Sequence, residues 1–181
     1  MSDPVSALGH ASFQGFATIR EIGPLGMITL RAKGLKSLDK AIKAVTGTKT
    51  PAPRRIEVNS DRACGWMSPD EYLLVVPYAE VAEALAKVSK ALAGEHHLAV
   101  DVSDARAVFR IEGDRAADVL RKLSPVDFDR LEPGELRRSR AAQVAAAMWA
   151  QDGGYTLVCF RSVAAYVMGL LTHSAQPGSE I

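Results

Sequence analysis

Cysteine and histidine are scarce in this chain, and what there is lacks the spacing of a metal centre. The 181 residues hold two cysteines, Cys64 and Cys159, and four histidines, His10, His96, His97 and His173. No His-x-His, His-x3-His or Cys-x2-Cys spacing occurs, so no metal site is expected. His96 and His97 are adjacent and would point to opposite faces of a strand. Sparse, unpaired cysteine fits a reducing compartment, and Cys159, in an apolar run, reads as a small core residue. Phosphate-binding glycine loops are missing, since neither Gly-x-Gly-x-x-Gly nor Gly-x4-Gly-Lys-Ser/Thr is present. Gly-x-Ser-x-Gly is missing too, which removes the usual context of a serine nucleophile. Charge of one sign is not in excess: the formal net charge is +1, and neither nucleic acid nor an anionic membrane is an expected partner. The longest apolar run, Val163 to Leu171, is far short of the ~20 residues that span a bilayer. Met1 to Phe16 has neither a basic head nor an apolar stretch, so no secretory leader is expected and the chain reads as cytoplasmic.

What the sequence does have is an internal repeat. Trp66-Met67-Ser68-Pro69-Asp70-Glu71-Tyr72 is matched by Trp149-Ala150-Gln151-Asp152-Gly153-Gly154-Tyr155, each followed by apolar residues. The offset is 83 residues at both landmarks, 66 to 149 and 72 to 155, and these are the only two tryptophans. Two copies of one structural unit are the simplest explanation. Apolar residues make up 48% and charged residues 24%, a mix that supports an ordinary core. A chain this long buries roughly 70% of its unfolded surface.

Hydrophobic periodicity fills in the elements. Phe16–Ile22 and Leu25–Arg31 read as strands about a Gly23-Pro24 turn, and Leu35, Leu38, Ile42 and Val45 mark an amphipathic helix. A Pro/Gly-containing loop runs from Thr46 to Arg55, and Ile56–Val58 reads as a short strand. Ala63–Met67 and Tyr72–Val76 form a hairpin, and Val81, Leu85, Val88 and Leu92 mark a helix stopped near Gly94. The second half repeats the order. Strands fall at His97–Val102 and Ala105–Glu112. A helix after Gly113 has Asp114 in its first turn, which suits the helix dipole. A loop from Ser124 to Leu136 precedes a hairpin of Arg140–Ala150 and Tyr155–Phe160. Ser162 caps a last helix whose Val163, Tyr166, Val167, Leu170 and Leu171 are expected inward. The fold class is α+β, with mostly antiparallel strands in two strand-strand-helix-strand-strand-helix halves, residues 15–94 and 97–173, within one domain of residues 1–181. Residues 1–14 read as an arm, mobile or laid on a partner, and residues 174–181 as a frayed tail.

Few residues are arranged for chemistry, and no catalytic, cofactor-binding or metal-binding residue is expected in this chain. Trp66 and Trp149 read as packing residues, each against a helix. Asp101 and Asp104 span a turn and Asp127 and Asp129 lie in a loop, where carboxylates commonly bond their own backbone. Arg137, Arg138 and Arg140, and Arg54 and Arg55, read as solvated or partner-facing positions, without the interleaved aromatics of single-strand binding.

Gly65-Trp66-Met67-Ser68-Pro69-Asp70-Glu71-Tyr72-Leu73-Leu74 resembles the Gly-Trp-x-Gly-Pro-Asp-Glu-Trp/Tyr-Leu-Leu signature of the gamma subunit of heterotetrameric sarcosine oxidase. Ser68 stands where that signature has glycine, a change confined to the turn. Asp101-Val102-Ser103, Gly113-Asp114, Leu131-Glu132-Pro133-Gly134 and Phe160-Arg161-Ser162-Val163-Ala164 agree in order and spacing, so the resemblance runs from about Gly15 to His173. The second half also resembles the folate-binding domain of the glycine-cleavage T-protein superfamily. The acidic residue of that superfamily's later hairpin strand is missing from Gln143 to Trp149, so folate chemistry is not expected here. The resemblance implies a structural, non-catalytic subunit of an oxidoreductase complex acting on a CH–NH donor with oxygen as acceptor. That complex demethylates sarcosine to glycine and passes the one-carbon unit to tetrahydrofolate. It further implies a large flavin- and folate-binding alpha subunit as partner, with beta and delta subunits in the assembly. FAD, FMN, NAD and zinc belong to those other subunits, and the isolated chain has no activity. The docking surface is expected on the arm and on one sheet edge or face. The rival reading is a stand-alone folate-binding or aminomethyltransferase-like protein.

Overall fold

The structure, a computed structural model, describes residues 4–181; residues 1–3 of the expected arm lie outside the described residues. Its elements in chain order are β1 (Ser12–Gln14), β2 (Thr18–Glu21), β3 (Gly26–Arg31), α1 (Leu38–Thr46), β4 (Ile56–Asn59), β5 (Arg62–Ser68), β6 (Glu71–Val76), α2 (Val81–Ala91), β7 (Leu98–Asp101), β8 (Arg106–Glu112), α3 (Ala116–Arg121), β9 (Leu136–Ala141), β10 (Val144–Gln151), β11 (Gly154–Phe160) and α4 (Ala164–Ser174). The chain divides into two units: Leu25–Ser103, and the residues up to Pro24 together with Asp104–Ile181.

In the unit of Leu25–Ser103 the sheet order is β4-β5-β6-β3-β7, with every pairing antiparallel. Alternate residues of its strands (Ile28, Leu30, Cys64, Tyr72, Leu74, Val76) meet Leu38, Ile42, Val45, Val81, Val88 and Leu92 from α1, α2 and their ends. The strands supply a period of two and the helices a period of three to four, which puts one face of each into one core. Gly47, at φ 71°, ends α1 in the left-handed conformation and returns its amide to the Lys43 carbonyl, the usual glycine stop.

In the other unit the sheet order is β1-β2-β8-β11-β10-β9, again antiparallel throughout. Ile19, Phe109, Ile111, Met148, Leu157 and Cys159 face Val119, Leu120, Val167 and Leu171 of α3 and α4. Set side by side, β2-β8-β11-β10-β9 and β7-β3-β6-β5-β4 are the same sheet built twice.

The α+β class and the antiparallel pairing agree with the sequence reading, but the units do not follow the halves 15–94 and 97–173. Thr18–Glu21 pairs with β8 of the later half, and Leu98–Asp101 pairs with β3 of the earlier one. Gly23-Pro24 and Val102-Ser103 therefore are not hairpin turns. Each hands the chain from one sheet to the other. The short strand read at Ile56–Val58 is β4, and the later half has one strand more than expected. Leu136–Ala141, divided in the sequence reading between the end of a loop and the start of the hairpin strand, is the separate edge strand β9, joined to β10 through Ala142 at φ 51°. The helix after Gly113 starts only at Ala116, so Asp114 precedes it and the acidic residue of its first turn is Asp118.

Neither terminus of the described chain is loose. Glu21 is buried, and its carboxylate accepts the amides of Ala7 (3.2 Å) and His10 (2.9 Å). Arg161 donates to the carbonyls of Val5 and Ser6, so the expected arm is folded onto its own unit. At the other end Ala175 is fully buried, its carbonyl accepts the Phe16 amide at 3.0 Å, and Lys122 donates to Ser174 and Ser179. The tail is docked because its polar backbone has partners inside the fold.

Gly154 opens β11 beside β8, and a Cβ there would lie 2.2 Å from the Ile111 carbonyl oxygen. Gly154→Ala is expected to cost about 1–3 kcal/mol, the range for overpacking a closed site, read as a lower urea midpoint.

Candidate functional site

The side chains that carry chemistry elsewhere are committed here to structural contacts. Burial pushes the Cys64 thiol far up from its ordinary value, and the Cys159 thiol up to about 11. Both stay protonated and poorly nucleophilic near neutrality. His97 uses Nδ1 to contact the Glu95 carbonyl at 2.8 Å, and His96 is exposed. Among the described residues no group of three or more His, Cys, Asp or Glu side chains is placed to hold a metal ion. Asp101 accepts the amide and hydroxyl of Ser103, and the same hydroxyl accepts the Met27 amide. Asp127 accepts the Asp129 amide. Both are turn chemistry, as their spacing suggested. Arg138 and Arg140 lie exposed along the edge strand β9, and Arg137, just before them, is less exposed.

Sequence reasoning missed a buried carboxylate with two cationic partners. Asp118 on α3 is buried, with Arg115 one turn before it and Arg121 one turn after, and both guanidinium groups donate to it. Burial alone would raise its pKa, but the hydrogen bonds and charges of Arg115 and Arg121 together outweigh that and hold it below the ordinary carboxylate value of 3.8. The signal was present as Arg-x-x-Asp-x-x-Arg, the three-residue spacing of neighbours on a helix surface. A carboxyl with a depressed folded pKa contributes stability above its unfolded pKa and loses it as pH falls through the folded one. Asp118→Asn should therefore be less stable than the wild type at neutral pH, and the gap should close below about pH 4. Urea midpoints across that range measure it; a gap independent of pH would contradict the assignment.

The two tryptophans, aligned in sequence, are not equivalent in structure. Trp66 is partly buried against the helix-side core of its unit. Trp149 is buried too, but it follows Met148, which faces the helices, and so points to the other face of its sheet. There its indole Nε1 donates to Gln151 Oε1 at 3.1 Å. The cause is a β-bulge at Met67: Ser68 pairs with Glu71 and Trp66 with Tyr72, leaving Met67 unpaired. In β10 the register is unbroken, and Ala150 pairs with Tyr155. Cys64 opposite Leu74 thus corresponds to Met148 opposite Leu157, an offset one greater than the tryptophans suggest. Before the bulge, residues matched at an offset of 83 therefore sit on opposite faces of their sheets. The helix packing expected of both holds for Trp66 alone.

A cleft of about 360 Å³ opens at the tip of the β10–β11 hairpin, lined by Gly113, Asp114, Pro133, Gln151, Asp152 and Tyr155 among others. Neither tryptophan lines it. Buried Arg110 holds the hairpin by donating to Thr156 Oγ1 (3.1 Å) and to the carbonyls of Gln151 and Asp152. The arginine is spent on the turn, leaving Asp114 and Asp152 as the charged groups of the cleft wall.

Surface character separates the helices more sharply than any pocket. The outward residues of α1 include Asp39, Lys40 and Lys43, and those of α2 include Glu83, Lys87 and Lys90, the ordinary solvated pattern. The outward residues of α4 are Ala165, Tyr166, Gly169 and His173, and no Asp, Glu, Lys or Arg occurs from Ser162 to Ser174. Tyr166, expected inward, is 49% exposed.

Residues 35–176 match the Sarcosine oxidase, gamma subunit family. The chain belongs to that family. Sarcosine oxidase subunit gamma of Corynebacterium sp. (strain U-96) is 35% identical over 133 residues, covering 72% of this chain and 62% of that protein. The chain thus spans less than two thirds of this curated relative's length. Heterotetrameric sarcosine oxidase from Corynebacterium sp. U-96, solved in complex with pyrrole 2-carboxylate, contains a chain that superimposes with a TM-score of 0.80 at 26% identity, covering 88% of this chain and 83% of that one. Glycine cleavage system aminomethyltransferase T from Bartonella henselae gives a TM-score of 0.64 at 11% identity, over 87% of this chain and 45% of that one. The last likeness is one of fold. Among the described residues of this gamma-family chain, no helix is long and apolar enough to cross a membrane.

Proposed function

We propose that the chain is a non-catalytic structural subunit of a heterotetrameric sarcosine oxidase. The assembled enzyme oxidatively demethylates sarcosine to glycine, reduces oxygen to hydrogen peroxide and passes the one-carbon unit to tetrahydrofolate. The flavin- and folate-binding alpha subunit is the partner this chain docks on, with beta and delta subunits completing the complex and FAD, FMN, NAD and zinc held outside this chain. Membership of the gamma family carries the reading. The site chemistry supports it: the thiols are driven toward their protonated forms, and the buried carboxylate of Asp118, with its depressed pKa, is held by two arginines on its own helix or directly beside it. Groups tied up in this way are poor donors and acceptors of a catalytic proton.

Co-expression with the other subunits tests it. The chain should co-purify with them, and the complex should consume oxygen when given sarcosine, whereas the chain alone should produce no peroxide. Calorimetry with tetrahydrofolate on the lone chain provides the opposing result: micromolar binding, or any turnover without the other subunits, would favour a stand-alone folate protein.

A further inference from the structure

The outer face of α4 is built for contact with another protein surface. The helix has apolar or small residues on every side, and a helix of that kind is normally buried all round. Its inner face is buried: Ala164, Val167 and Leu171 are within the core. Its outer face is not, and the topologically equivalent helix α2 shows that this sheet can be served by a helix with a charged outer face. The apolar outer face is therefore not required by the fold.

Gly169 provides an independent sign. Glycine inside a helix is less favourable than alanine by roughly 0.8–1 kcal/mol, so it usually has a packing reason. Within this chain it has none, because a Cβ on Gly169 would meet no atom within 4 Å. Its lack of a side chain leaves room for something outside the chain to approach the helix backbone.

We propose that the outer face of α4, with Tyr166 as anchor and Gly169 as the point of closest approach, is covered by an uncharged, apolar surface of a larger and different subunit. This rests on the proposed place in an oxidase assembly. Size argues against a second copy of this chain as occupant. Eleven residues give a helix about 16 Å long and about 10 Å across, so two such helices crossing bury a few hundred Å² each. A stable dimer needs about 800 Å² per partner. A larger chain that wraps the helix and its flanks reaches that area. Absence of charge along the face matches an apolar partner, because an unpaired charge on either side would be costly to bury.

The test is co-purification of the full chain with the other subunits of its oxidase, comparing wild type with Gly169→Gln, Tyr166→Asp and, on the outer face of α2, Ala86→Gln. Gly169→Gln should raise the Tm of the lone chain, since glutamine favours helix and meets no obstruction, yet weaken assembly by about tenfold or more, as expected of an interface centre. Tyr166→Asp should weaken assembly similarly, and Ala86→Gln should leave it unchanged. Wild-type affinity in both α4 variants would overturn this inference while leaving the family role intact. Failure of the wild type itself to join the other subunits would overturn the proposed function, and this inference with it. Self-association of the lone chain that Gly169→Gln abolishes would make the occupant a second copy and also overturn the proposal.

Discussion

Truncating Phe109 to alanine is expected to lower the unfolding free energy by about 3–5 kcal/mol, the range for removing a buried aromatic side chain. Phe109 is fully buried in β8, the strand that pairs with β2 on one side and β11 on the other. Its ring is part of the cluster that α3 and α4 close over. Net stabilities of domains are typically 5–15 kcal/mol, so the loss is about a fifth or more of the total. It should appear as a lower urea midpoint at unchanged slope, because the same surface is exposed on unfolding. A loss under about 1 kcal/mol, far below that range, would mean that the cluster is not closed as described.

Truncating Trp66 to alanine should also be damaging, within the range of about 3–5 kcal/mol for removing a large aromatic side chain. Trp66 is partly buried against the helix-side core of its unit, so the loss should fall toward the lower end of that range and appear as a lower urea midpoint. Deleting Met67 tests the register separately. The bulge residue is the one without a partner, so its removal leaves Trp66 opposite Tyr72 and Cys64 opposite Leu74, the unbroken register that β10 already has. In a Trp149→Phe background, the deletion should leave Trp66 emission and its quenching by acrylamide near those of the parent. A shift to longer wavelength with greater quenching would contradict the register.

The parts legible in the sequence were those with a strong local period. Ile42 and Val45 in α1, and Val81 and Val88 in α2, each declare one face, and each lies where its pattern put it. The sequence was silent where the deciding fact was not periodic. Leu136 to Ala141 alternates poorly, because an edge strand with arginines on it need not bury a full face. In α4 nearly every position before His173 is apolar or small, so the period does not say that Tyr166 points out. The tryptophan repeat misled because a bulge adds one residue without changing the residue types around it. The strand exchange was hidden because a Gly-Pro step ends a strand equally well whether the chain folds back or crosses to another sheet.

For the candidate site, the sequence located the turn carboxylates Asp101 and Asp127 and the family landmarks around Trp66. It missed Asp118, whose partners are visible only as a spacing, and the uncharged face of α4. That face was written plainly as the longest apolar run, Val163 to Leu171, and its length served only to reject a membrane span. Its meaning depends on knowing which side the sheet already covers.

The exchanged strands also set the order in which the protein can mature during synthesis. Leu25–Ser103 is continuous, so its sheet can close as soon as β7 leaves the ribosome. β2 is made earlier but waits for β8: Arg20 and its ion-pair partner Glu112 are 92 residues apart. Such distant pairing forms slowly. One of the first strands out is therefore among the last to find its place, and until then its edge is open to chaperones or to strands of neighbouring chains.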